Sequence, residues 1–217
     1  MPAHAAERAD VIRCARAWLR TPYHHGGRIK GAGVDCAMLL AEIYAEAGLV
    51  PPLAIPHYPP DWHLHRDAER YLGVLLDHAV EYVPVIASPP GEAIQPGSLR
   101  RNALRDDGEV VVPHRAILPA DIALWRFGRC FSHGAIVVDW PVVIHAYLGH
   151  GCVLEDAGKA EWLLRIGEGR DAQARPRPVK FFTLKRWTVS SLRAAAGSEA
   201  IQDAGSLCCA RDDAEQL

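Results

Sequence analysis

The 217-residue sequence lacks the features that mark a chain for a bilayer, a nucleic acid or an oxidising compartment. No apolar run approaches the roughly 18 residues that a membrane span needs, so a membrane is not an expected partner. An excess of charge of one sign is also missing. The 24 Lys and Arg stand against 26 Asp and Glu, a net charge of −2, which provides no basic face and makes nucleic acid an unexpected partner as well. The opening residues carry Glu7, Arg8, Asp10, Arg13 and Arg16 with no continuous apolar stretch between them. They do not read as a secretory signal, and synthesis in the cytoplasm is expected. Six cysteines (Cys14, Cys36, Cys130, Cys152, Cys208 and Cys209) are too sparse for a disulfide scaffold and show no CxxC metal spacing, so reduced thiols are expected. Internal repeats are absent. What remains is an ordinary globular composition, 49% in the AVILMFWYC set and 23% charged. It supplies enough Leu, Ile, Val and Trp for a core and excludes disorder of the whole chain.

Residues 5–20 read as a helix, with Val11, Ile12, Ala15, Trp18 and Leu19 on one face and Thr21-Pro22 as its stop. A glycine-rich stretch through Gly26, Gly27, Gly31 and Gly33 then reads as too flexible for regular structure. A second helix is predicted at about 36–47, with Asp35 as N-cap and Gly48 as C-cap. Residues 56–66 form an aromatic and histidine-rich connection, and a third helix is predicted at about 67–80, where Tyr71, Leu72, Leu75, Leu76 and Ala79 share a face. After a polar excursion at 88–109, short β-branched runs at 109–113, 121–127, 134–139, 142–147 and 180–185 read as strands. Helices first and antiparallel strands afterwards predict an α+β fold. Residues 190–217 turn small and polar and read as a loosely attached tail behind a domain spanning 1–189.

Cys36 is the first candidate for chemistry. It opens the second helix, where the backbone N–H groups and the helix dipole favour negative charge and lower a thiol's pKa. The glycines before it leave room for a substrate. On placement alone, a buried structural cysteine is an equal reading. A nucleophilic thiol needs a base, and His133 and His145 each border a strongly β-forming run, with Asp139-Trp140-Pro141 as the turn between them. A five-residue loop would place 133 opposite 145 with Cβ atoms about 4.5–5.5 Å apart, and shorter loops would shift that register.

Four separated blocks, in order, carry a family resemblance: Thr21-Pro22-Tyr23 with Gly26-Gly27; Gly33-Val34-Asp35-Cys36; Ser132-His133-Gly134-Ala135-Ile136-Val137-Val138; and Val143-Ile144-His145-Ala146. Together they resemble the NlpC/P60 cysteine peptidases over roughly residues 8–187. The stretches PHYPPDWHLHRDAERYL and DIALWRFGRCFSHGAIVV are similar in particular to the phage-encoded cell-wall peptidases of that family. The resemblance implies a papain-like α+β fold with the N-terminal helices packed on a small antiparallel sheet. It implies Cys36 as nucleophile, His133 as general base, His145 as the residue orienting that base, and Tyr23 on the oxyanion side. The implied substrates are peptidoglycan stem peptides, cleaved at the D-glutamyl to diaminopimelate link. His24, His25, Asp35 and Ala37 are candidate substrate-binding positions beside these. Two departures stand out: Asp35-Cys36-Ala37-Met38 replaces the usual DCSG, and Pro119-Ala120-Asp121 replaces the usual PGD.

If the thiol pKa is lowered as its helix position suggests, alkylation of Cys36 should persist well below pH 8. With Cys36 as nucleophile, no cofactor or metal is expected. Two rival classes share the same residues: a zinc hydrolase using Cys36, His133 and His145 as ligands, and a non-catalytic tail or wall-binding module. Cys14 reads as core, and Cys130 admits a secondary redox role. The family resemblance further implies a route to the wall through incorporation into a phage or phage-like tail particle, with phage tail proteins as expected partners.

Overall fold

The computed structural model describes residues 4–61, 64, 69–85, 112–161, 164–165 and 175–188. The expected tail at 190–217, Cys208, Cys209 and the whole 88–109 excursion lie outside the described residues. The chain is α+β, with three helices described: α1 (Ala5–Ala17), α2 (Cys36–Glu46) and α3 (Arg70–His78). Its strands are β1 (Arg28–Ile29), β2 (Gly33–Val34), β3 (Ala79–Pro84), β4 (Val112–Arg115), β5 (Ile122–Phe127) and β6 (Cys130–Asp139). They continue with β7 (Val142–Tyr147), β8 (Gly151–Asp156), β9 (Leu164–Arg165), β10 (Arg175–Pro176) and β11 (Val179–Leu184). No described helix is long and apolar enough to cross a membrane.

Seven strands form the main sheet in the order β4-β3-β11-β5-β6-β7-β8. Every neighbouring pair is antiparallel except β3 with β4, a parallel pair at one edge. The central strands are continuous apolar runs because both faces of the sheet are covered. On one face, α1 and α2 bring Val11, Ala15, Trp18, Leu39 and Ile43 against Ile122, Leu124, Ile136, Ile144 and Phe182. On the other, Ala123, Trp125, Ala135, Val137, Val143, Tyr82 and Phe181 pack with Trp140.

Several elements differ from their sequence expectation. Helix α1 stops at Ala17, three residues early, because Arg20 enters the left-handed region at φ 72° and turns the chain before Thr21-Pro22 is reached. The glycine-rich stretch is ordered into the β1–β2 ladder. A side chain at Gly33 would put its Cβ 2.6 Å from the Cβ of His24, so the glycine serves close approach of two backbones. The third helix ends at His78. Ala79, counted on its apolar face, instead opens β3, whose Val80 and Tyr82 pair with Thr183 and Phe181 of β11.

The departure at Pro119-Ala120-Asp121 keeps a glycine-like turn, since Ala120 itself adopts φ 65°. That turn delivers Asp121, which is fully buried. Its Oδ1 accepts from Arg8 at 2.9 Å, and its Oδ2 accepts from Arg115 at 2.6 Å, the Tyr82 hydroxyl at 2.7 Å and the Leu118 N–H at 2.9 Å. Arg8 also donates to the Pro119 carbonyl and to Thr183 Oγ1. One carboxylate thereby ties α1 to β3, β4 and the entry to β5.

Candidate active site

Asp35 builds the head of α2. Its Oδ1 accepts the Met38 N–H at 2.9 Å, the N-cap bond that the sequence predicts. Its Oδ2 accepts the Gly26 N–H and the Tyr58 hydroxyl, each at 2.7 Å, and lies 3.5 Å from His25 Nδ1. The buried carboxylate therefore does two jobs: it starts the helix and pins the 23–27 loop beside Cys36. His25 adds a hydrogen bond from Nε2 to the Tyr58 carbonyl at 2.6 Å, whereas His24 Nδ1 lies 3.0 Å from the His25 carbonyl at the exposed rim.

The Cys36 thiol donates to the Ser132 carbonyl at 3.6 Å. On the far side of His133, Gly134 has no room for a side chain, because a Cβ there would collide with the Tyr71 hydroxyl. That hydroxyl donates to the Cys36 carbonyl at 3.3 Å. The sulfur thus lies against the backbone that flanks His133. An irregularity in the β5–β6 ladder accompanies this approach. Trp125 pairs with His133 but Arg126 with Phe131, so Ser132 falls in a bulge, a device that commonly re-aims side chains beside active sites.

Among the positions predicted from sequence, Cys36, His133, Tyr23, His24, His25, Asp35 and Ala37 line one cavity of about 1160 Å³, together with Tyr58, Tyr71, Phe127 and Tyr147. His145 stands behind His133, with no exposed surface. The two imidazoles touch, with His133 Nε2 3.0 Å from His145 Nδ1, but they do not face each other directly. The loop is only Trp140-Pro141 with a bulge behind it, so Ile136 pairs with Ile144 and Val137 with Val143. His133 and His145 therefore sit diagonally on one face of adjacent strands, a spacing that long side chains still bridge.

The sequence reading missed a third member of this row. His145 Nε2 lies 2.9 Å from Glu155 Oε2 on β8. Strand β8 was itself unforeseen, although Leu148-Gly149-His150-Gly151 between two apolar runs is a hairpin signal that places Val153 opposite His145. Tyr58 was missed as well, since nothing in the 56–66 connection announces a hydroxyl aimed at Asp35. The zinc reading fares differently: the imidazole nitrogens are directed at each other, and among the described residues no three His, Cys, Asp or Glu side chains form a group that could hold a metal ion.

The electrostatics correct one expectation. Burial pushes the Cys36 thiol up to about 12 and the Asp35 carboxylate adds to this, while backbone N–H groups of Gly134, Cys36 and Ala37 pull the other way. The helix terminus lowers the pKa as anticipated, but desolvation wins. Tyr23 is likewise raised to about 12 by burial and by Cys36, so its hydroxyl stays a donor at neutral pH. Burial also holds His145 below its ordinary value against the opposing pull of Glu155, which keeps it neutral at pH 7. Because only the thiolate alkylates, iodoacetamide labelling of Cys36 in the substrate-free protein is expected to be slow at pH 6–8 and still rising at pH 9. Rates followed by mass spectrometry that level off below pH 8 would contradict this.

No family model and no curated protein matches the chain. Among solved structures, it is similar to the NlpC/p60 domain of peptidoglycan hydrolase SagA, at 15% identity over 70% of this chain and 90% of that one, with a TM-score of 0.41. It is also similar to an NlpC/P60 family protein from Bacillus cereus, at 14% identity with a TM-score of 0.39. That match covers 78% of this chain but spans only 39% of the other protein's length.

Proposed function

We propose that this chain is a cysteine peptidase that hydrolyses amide bonds in bacterial cell-wall stem peptides. The observation that carries the chemistry is a thiol at the head of α2 lying against the backbone on either side of His133, whose ring is backed by His145. Cys36 Sγ attacks the amide carbonyl carbon as its proton passes to His133, and the C–N bond then breaks as His133 returns that proton to the leaving amine. Water, deprotonated by His133, hydrolyses the thioester and restores the thiol. The Cys36 backbone N–H and the Tyr23 hydroxyl serve as oxyanion donors, each worth roughly 10²–10³ in rate. A protonated resting thiol fits transfer to His133 during attack better than a standing ion pair.

The substrate class is supported by the four sequence blocks that resemble NlpC/P60 peptidases, and the solved structures similar to this chain include a domain described as that of a peptidoglycan hydrolase. The D-glutamyl to diaminopimelate amide is the bond we propose. Delivery within a phage or phage-like tail particle is the route proposed with it, supported by the phage-type stretches at 56–72 and 121–138. Incubating wild type and Cys36→Ala with defined muropeptides, followed by mass spectrometry, tests the reading. The expected product is a fragment newly ended at D-glutamate, formed by wild type alone and in the presence of a chelator. Intact muropeptides with both proteins, or cleavage that survives Cys36→Ala, would overturn it.

A further inference from the structure

His133, His145 and Glu155 step diagonally across β6, β7 and β8, and together they form a directional chain of hydrogen bonds. Glu155 lies opposite Val143 and His145 opposite Val153, so the strand alternation keeps Glu155 and His145 on one face. The direction follows from what each group can donate. A carboxylate only accepts, so His145 must carry its proton on Nε2 to meet Glu155 Oε2 at 2.9 Å. A neutral imidazole with its proton on Nε2 accepts at Nδ1. His133 Nε2, 3.0 Å away, must then be the donor. That leaves the lone pair of neutral His133 on Nδ1, the nitrogen that must take a proton from Cys36, since Nε2 is turned to His145.

Resting on the peptidase reading above, we infer that Glu155 is a positioning residue that sets the tautomers of both histidines, so that His133 presents a basic Nδ1 to Cys36. Without an acceptor at residue 155, His145 gains no benefit from a proton on Nε2. It can place that proton on Nδ1 and donate it to His133 Nε2, which forces the His133 proton onto Nδ1 and blocks the base. Glu155 is suited to this distance from the chemistry. Its side chain is 35% exposed at the water-facing end of the row, while His145 between them has no exposure. The titratable groups around His145 are His133 on β6, Glu155 on β8, Tyr147 at the end of β7 and His150 in the turn that follows it.

The test uses the full-length protein with histidine side chains labelled with nitrogen-15, whose spectra report tautomers whether or not the substrate is correctly chosen. Wild type is expected to show His133 and His145 both protonated on Nε2 at pH 7. In Glu155→Ala, His145 is expected to gain a population protonated on Nδ1. The kcat on muropeptide should fall about 10–100-fold at nearly unchanged KM, less than the roughly 10⁴-fold cost when the orienting carboxylate acts directly on the base. Glu155→Gln, which keeps an acceptor oxygen but loses the charge, should restore the wild-type tautomers and most of kcat. Its acidic limb should move to lower pH, because the imidazolium is less stabilised. Tautomers unchanged in Glu155→Ala, or an Nδ1-protonated His145 in wild type, would overturn the inference. Absence of muropeptide cleavage by wild type with the tautomer response intact would instead remove the substrate reading alone.

Discussion

His133→Ala is expected to lose about 10²–10⁴-fold in kcat on stem peptides, the range that one general acid–base group supplies, with the upper end favoured here. The reason is the state of the thiol. A cysteine already ionised would tolerate loss of its base, but Cys36 is raised to about 12 by burial and by Asp35, so without His133 its proton has nowhere to go except solvent. The pH profile separates this from a structural defect. In His133→Ala the residual rate should climb about tenfold per pH unit between pH 7 and 9, following the thiolate fraction, whereas wild type should rise much less steeply. The ring also packs 5.2 Å from Phe127 and 5.6 Å from Tyr147, so His133→Gln, which fills more of that space, serves as the folding control. Since the two residues act as a unit, Cys36→Ala/His133→Ala should be no slower than Cys36→Ala alone. A His133→Ala enzyme with wild-type kcat and an unchanged pH profile would remove His133 from the reaction.

What could be read from the sequence divides along physical lines. The head of α2 was legible because capping is local: Asp35 at the N-cap and Cys36 behind it depend only on a few consecutive residues. The two histidines were legible as partners because alternation along β6 and β7 fixes their shared face, but their register was not. It turned on a two-residue turn with a bulge that neither β-propensity nor loop composition specifies. Glu155 was missed because its role depends on a third strand whose short, mixed run GCVLED carries no clean alternation. The thiol pKa was read with the wrong sign for a similar reason. The helix terminus that lowers it is visible in the sequence, whereas the burial that raises it exists only once the chain has folded around the thiol.

The same contrast between local signal and tertiary demand applies at Asp121, where the expected effect is on stability. Sequence shows only a turn with alanine in place of glycine, yet the structure gathers two guanidinium groups, a phenol and a backbone N–H on one carboxylate without solvent exposure. Asp121→Ala removes the acceptor of all four donors at once and leaves Arg8, itself buried, with a positive charge and no counter-ion there. Breaking a buried pair from one side costs about 3–5 kcal/mol, a large part of the roughly 5–15 kcal/mol that holds a domain folded. At about 2–4 °C per kcal/mol for a domain of this size, the Tm should fall by roughly 6–20 °C. Arg8→Ala should cost less, because Asp121 keeps Arg115 and Tyr82. The double variant should be more stable than the sum of the two losses predicts, since removing Arg8 relieves the charge that Asp121→Ala strands. Calorimetric melting of the three variants decides the matter: a strictly additive cycle would mean that Arg8 and Asp121 are not coupled, and a Tm for Asp121→Ala within about 2 °C of wild type would mean that the network adds nothing net to the fold.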